Sequence, residues 1–183
     1  MSKSIKIMAA FGVLGALGLA ALPLASYAEQ TFSSTTDITV TIEGSTSITL
    51  DNSELEGEIP NNTEGEIGDV DVTVATNAAD GFRLYIKGSG NGADPTKLYS
   101  GSNYISAGTP TSGSSLWGYK GGNKAAQNAF VGVTSSDVLV LDANGPTPTS
   151  GTTENFIFES SVSSSQPAGT YTGQVTWTVV VNE

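Results

Sequence analysis

The stretch "DVDVTVATNAADGFRLYIKG", residues 69–88, alternates apolar and polar side chains on both sides of a short polar turn. Successive side chains of a strand point to opposite faces, so this alternation describes strands with one buried face and one wet face. Asp69–Thr76 sends Val70, Val72 and Val74 inward and Asp69, Asp71 and Thr73 outward. Gly81–Lys87 sends Phe82, Leu84 and Ile86 inward and Arg83, Tyr85 and Lys87 outward. The "NAADG" between them reads as a hairpin connection.

The same period-2 pattern continues along the chain in both directions, and no three-turn amphipathic helical pattern interrupts it after residue 28. Strands are expected at Asp37–Ile42, Ser47–Leu50, Leu98–Ile105, Leu116–Lys120, Phe130–Val133, Asp137–Leu141 and Asn155–Val162. The last strand carries Tyr171, Val175, Trp177, Val179 and Val181 on one face and Thr172, Gln174, Thr176 and Thr178 on the other. Five large apolar residues on one face predict a central or near-central position for it. The expected fold is all-β: an antiparallel Ig-like or jelly-roll-like β-sandwich of seven to nine strands, preceded by a signal-peptide helix. Two long polar loops are expected, an acidic one at Asp51–Gly68 and a Pro/Thr-rich one at Asn144–Thr153.

The N-terminus reads as a secretory leader. Lys3 and Lys6 precede an uncharged run, Ile7–Leu22; Pro23 ends it, and Ser26-Tyr27-Ala28 offers small residues at a cleavage site. The organisation expected is a signal peptide at 1–28 and one sandwich domain at 29–183. Cleavage would leave five bases against eighteen acids, a net charge of −13. Such a chain is repelled by nucleic acid, and its membrane contact is expected only through an uncleaved leader. The absence of Cys assigns stability to packing rather than to disulfides. The absence of His removes Ser-His-Asp triads, Cys-His dyads and the usual zinc sites.

Candidate sites are few. The acidic stretch from Asp51 holds carboxylates, with Asp51, Glu54, Glu56 and Asp69 as the set that could hold Ca²⁺, although its spacing matches neither an EF-hand nor a nonapeptide repeat. No other cofactor is expected. Arg83, Tyr85 and Lys87 form the only basic spot on an acidic body and the candidate contact for an anionic glycan. Trp117 and Tyr119 are read as core aromatics, as is Trp177.

The segment "YTGQVTWTVV" (171–180) resembles the distal motif of WxL domains through Tyr171, Val175, Thr176, Trp177 and Val179. Those domains are β-rich modules of secreted Gram-positive proteins that associate noncovalently with the cell wall. The upstream Trp-x-Leu of that family has its nearest counterpart in Trp117-Gly118-Tyr119, which departs at the third position. "VTVATNAADGFRLYIKG", "SSLWGYK" and "SQPAGTYTGQVTWTVV" are together similar to small secreted sandwich proteins of reduced-genome, host-attached bacteria of the Saccharibacteria type. These resemblances imply a secreted, extracellular or cell-surface location and a non-enzymatic structural, adhesive or wall-associated role. The partners implied are a cell-wall or cell-surface glycan or protein. Two alternatives stand beside that expectation: a lectin-like glycan-binding module, and a surface subunit that self-associates by strand addition through the polar segment Glu29–Thr36.

Overall fold

A computed structural model describes residues 39–90, 92–124 and 126–182; the expected leader and the segment Glu29–Thr36 lie outside them. Nine strands occur among the described residues: β1 (Thr46–Leu50), β2 (Glu64–Thr76), β3 (Phe82–Gly88), β4 (Leu98–Ser100), β5 (Asn103–Ala107), β6 (Leu116–Gly121), β7 (Val138–Ala143), β8 (Thr152–Ser161) and β9 (Val175–Val181). They form a six-stranded sheet in the order β1-β2-β8-β6-β5-β4 and a three-stranded sheet in the order β7-β3-β9. The described part of the chain is all-β and builds a two-sheet sandwich. Every pair is antiparallel except β5 with β6, which is parallel over Ser106–Leu116 and Ala107–Trp117.

The alternation in β2 and β3 locates the core. Val70, Val72 and Val74 from the large sheet and Phe82, Leu84 and Ile86 from the small one are all buried in one cluster. Phe156 and Phe158 of β8 join it, with Trp117 and Tyr119 of β6 and Val140 and Leu141 of β7. Phe156 lies 4.6 Å, centroid to centroid, from Trp177 of β9, so an aromatic contact couples the two sheets. Trp117 stacks on Phe158 and donates its indole N–H to the Thr96 carbonyl at 2.8 Å.

Several expected elements come out differently. "NAADG" is not a hairpin: β2 pairs with β1 and β8, while β3 pairs with β7 and β9. The segment is an arch that carries the chain from one sheet to the other, turned by Gly81 at φ +83° and by the Gly81 N–H bond to the Ala78 carbonyl. Alternation tells which face a residue takes but not which strand lies beside it. The strand expected at Asp37–Ile42 is absent from its described part, residues 39–42, which belong to no strand. The single strand expected over Leu98–Ile105 is a hairpin of β4 and β5 turned at Gly101. The acidic loop is shorter than expected because Glu64–Gly68 belongs to β2.

Phe130–Val133 is not a strand. It makes a single bridge, in which Tyr119 and Val131 exchange N–H···O bonds of 2.9 Å. The edge of β6 is thus shared between β5 at Leu116–Trp117 and this segment at Tyr119. Gly118 sits where the two meet: a Cβ there would lie 2.4 Å from the Val131 carbonyl oxygen and 2.6 Å from that of Gly108.

The last strand is also corrected. β9 is an edge strand, not a central one, and its inward residues Val175, Trp177 and Val179 are only half-buried. Central β3, with the same alternation, buries its inward residues completely. The difference is that, among the described residues, no strand lies on the outer side of β9.

Two substitutions check this core. Phe156→Ala removes a fully buried ring that ties β8 to Trp177 and is expected to cost roughly 3–5 kcal/mol in chemical denaturation. Tyr119 is 1% exposed, its hydroxyl has no hydrogen-bond partner, and burial pushes its pKa up to about 12. In the unfolded chain the phenol ionises near pH 10, so Tyr119 destabilises the fold as pH rises above that value. Tyr119→Phe is expected to leave stability at pH 7 equal or higher and to reduce the alkaline loss, as read by melting temperature against pH.

Candidate functional site: the open edge of the small sheet

The register of β9 on β3 fixes where its backbone points. Asn182 N–H bonds to the Gly81 carbonyl and Ser89 N–H to the Gln174 carbonyl. These bonds lie on the same register as Arg83–Val180, Tyr85–Thr178 and Lys87–Thr176. In an antiparallel ladder hydrogen-bonded pairs alternate with non-bonded ones. Gln174, Thr176, Thr178 and Val180 therefore turn their backbone groups toward β3. Val175, Trp177, Val179 and Val181 turn theirs to the outer side, where no strand pairs with β9 among the described residues.

The other edge of the small sheet is covered at Val140 and Asp142. Asn123 donates its backbone N–H to the Val140 carbonyl and its Nδ2 to the Asp142 carbonyl, and its Oδ1 accepts the Asp142 N–H. Gly122, at φ +76°, lets the chain approach: a Cβ there would stand 2.0 Å from the Val140 carbonyl oxygen. In the large sheet, β4 is covered by Thr172, which exchanges two backbone bonds with Tyr99. The outer side of β1 is short and mostly exposed. Edge strands with free N–H and C=O groups are templates for pairing, and β9 is the long one here.

A groove of about 1620 Å³ runs beside β9. Its lining combines Ile67 and Val70 of β2, Phe158 of β8, and Val175 and Trp177 of β9 with Leu55 from the loop after β1. Carboxylates of Glu54, Glu56 and Glu58 also line it. Tyr171 anchors the segment on the β9 side: its hydroxyl donates to the Pro167 carbonyl at 2.7 Å and accepts from Gln166 Nε2 at 2.8 Å. The groove thus joins an apolar lining with an acidic loop and an unpaired backbone.

The residues singled out in the sequence fall elsewhere. Arg83, Tyr85 and Lys87 share the outer face of β3, but both cations already have partners on the β7 side: Arg83 Nε lies 3.8 Å from Asp142, and Lys87 lies 3.4 Å from Asp137. Lys124 also reaches Asp142, at 3.3 Å, so the basic spot is a mixed-charge surface. The set proposed for calcium is not gathered. Asp51 Oδ1 accepts the Asp71 N–H, and Asp69 with Asp71 is bridged by the Asn155 amide at 2.8 Å to each. Glu54 and Glu56 sit in the exposed loop. Among the described residues no group of three acidic side chains is placed to hold a metal ion. Asp94 is turn chemistry: Thr96 Oγ1–H and N–H both donate to its Oδ1, which holds its carboxyl below the usual range.

The open edge and its groove were not singled out in the sequence, because nothing in "VTWTVVV" says which neighbour is absent.

Comparison with family models, with curated proteins and with solved structures returns no match.

The outer face of the large sheet carries one electrostatic conflict. Glu66 lies directly across from Glu159 on β2 and β8. Burial first, then Glu64 and Glu66, raise the Glu159 pKa against the pull of Lys120. A carboxyl whose folded pKa is raised destabilises the fold while ionised and ceases to do so as pH falls through that pKa. Glu159→Gln is expected to raise the melting temperature at pH 7, with the gain shrinking as the solution is acidified below the carboxylate range; an unchanged gain across pH would contradict it.

Proposed function

We propose that this chain is an exported cell-surface β-sandwich protein without enzymatic activity, structural or adhesive in role and held at the envelope by noncovalent contact. The observation that carries the reading is the backbone of β9, unpaired on its outer side among the described residues, beside a groove of mixed apolar and polar lining. An exposed edge with side-chain pockets recognises an extended segment by strand addition, where main-chain bonds give affinity and alternate side chains give specificity. The leader-like N-terminus and the resemblance to wall-associated modules support export and surface residence. The lectin-like alternative draws on Arg83, Tyr85 and Lys87, but both cations there are engaged by aspartates, so the β9 edge has the stronger support.

Secretion from a Gram-positive host followed by cell fractionation tests this. The protein is expected in the envelope fraction, extractable by denaturant. Val181→Pro removes one outward N–H at the exposed end of the strand, a place where proline is tolerated, and is expected to move protein into the medium. Free release of the wild type would overturn the surface reading; equal retention of the variant would remove β9 from it.

A further inference from the structure

We infer that the occupant of the β9 edge is the segment Ile38–Ile42 of a second copy of this chain, so that the protein assembles head to tail by strand addition. This rests on the reading of β9 as a docking edge and names what docks there. "ITVTI" places Ile38, Val40 and Ile42 on one face and Thr39 and Thr41 on the other. "VTWTV" of β9 has the same alternation: Val175, Trp177 and Val179 pack against the core, with Val175 and Trp177 also lining the groove, and Thr176 and Thr178 alternate with them. Laid beside β9, the segment brings Ile38, Val40 and Ile42 opposite the strand positions whose backbone is free. Their side chains then enter the apolar lining, and Thr39 and Thr41 lie beside Thr176 and Thr178. Neighbouring strands place directly opposed side chains on the same face, so the match holds for either strand direction.

Three further observations favour this occupant. Val40 and Ile42 are 77% and 82% exposed, the most exposed large apolar side chains among the described residues. Five residues of strand span about 17 Å, which fits within the seven residues of β9. The segment also leaves from a fixed corner: Asn77 Nδ2 donates to the Glu43 carbonyl and Asn77 Oδ1 accepts the Ser45 N–H, each at 2.8 Å. The strand that starts at Thr46 is thereby separated from the free segment before it.

Charge regulates the contact. Asp37 and Glu43 flank the neutral core of the segment, and Glu54, Glu56 and Glu58 line the groove. Like charges oppose docking in dilute buffer, and salt screens them. Assembly is therefore expected to strengthen as salt is raised, the reverse of an interface built on ion pairs.

The test uses the exported chain purified after secretion, followed by sedimentation velocity over a range of concentration and salt. The wild type is expected to form oligomers that grow with both. Val40→Asp, at an exposed position, and Val181→Pro, at the end of the acceptor edge, are each expected to raise the concentration for half-assembly by about tenfold or more. Mixed together, the two variants are expected to form one-to-one dimers and no longer species, because only one donor segment and one acceptor edge remain intact. A wild type that stays monomeric at high concentration and high salt, or a Val40→Asp variant that assembles normally, would overturn the inference. If Val181→Pro lost envelope retention while Val40→Asp kept it, the self-assembly inference would fail and the docking edge would stand. If Val181→Pro was retained like the wild type, the docking edge itself would fail.

Discussion

The contact between Phe156 and Trp177 joins two sheets of unequal width. Phe156 comes from the second of the two strands next to β2 in chain pairing, deep in the six-stranded sheet, and is fully buried. Trp177 comes from the outermost strand of a three-stranded sheet and is only half-buried. The aromatic pair holds the small sheet over part of the large one. Three strands cannot cover six when adjacent strands stand about 4.8 Å apart. Loops cover part of the remainder, and the groove marks apolar surface that they leave accessible. Its lining by Val70 and Phe158, members of the central cluster, shows that it borders the core itself rather than lying on a peripheral surface.

The unequal sheets also explain how the other edges are treated. β7 is closed by the Asn123 amide, a side-chain imitation of a neighbouring strand, and Gly122 makes the approach sterically open. β4 is three residues long and is covered at Tyr99 by Thr172. The parallel contact of β5 with β6 lasts two residue pairs before the segment around Val131 takes over. Each device satisfies backbone groups that burial would otherwise leave unpaired. Gly118 serves the same end, because the two segments that share β6 leave no room for a Cβ. The middle glycine of Trp117-Gly118-Tyr119 therefore answers to backbone crowding, while its aromatic neighbours fill the core.

The face of each main strand was legible in the sequence. Val70, Val72, Val74, Phe82, Leu84 and Ile86 are buried because a period of two and a half-buried sheet have the same geometry. Partners were not legible. The β2–β3 arch has the same local composition as a hairpin, and only the long-range pairing of β2 with β8 distinguishes them. Apolar content also misled the reading of β9, since five large apolar residues suggest a central strand whether or not a neighbour is present. The segment at Phe130–Val133 looked like a strand because it is apolar, yet it forms only a single bridge, Val131 with Tyr119. Of the candidate sites, Arg83, Tyr85 and Lys87 were placed on the correct face. Their aspartate partners on the β7 side lie fifty or more residues away in the chain, beyond any local pattern.

Asn123 closes its edge with one amide instead of a strand, and a side chain cannot be continued by another molecule. The small sheet consequently has a front and a back. The β7 side is covered at Val140 and Asp142, while the β9 side is unpaired among the described residues. Were strands to add through this sheet, each molecule would offer one acceptor edge, and any series of such contacts would have a direction, with unlike ends.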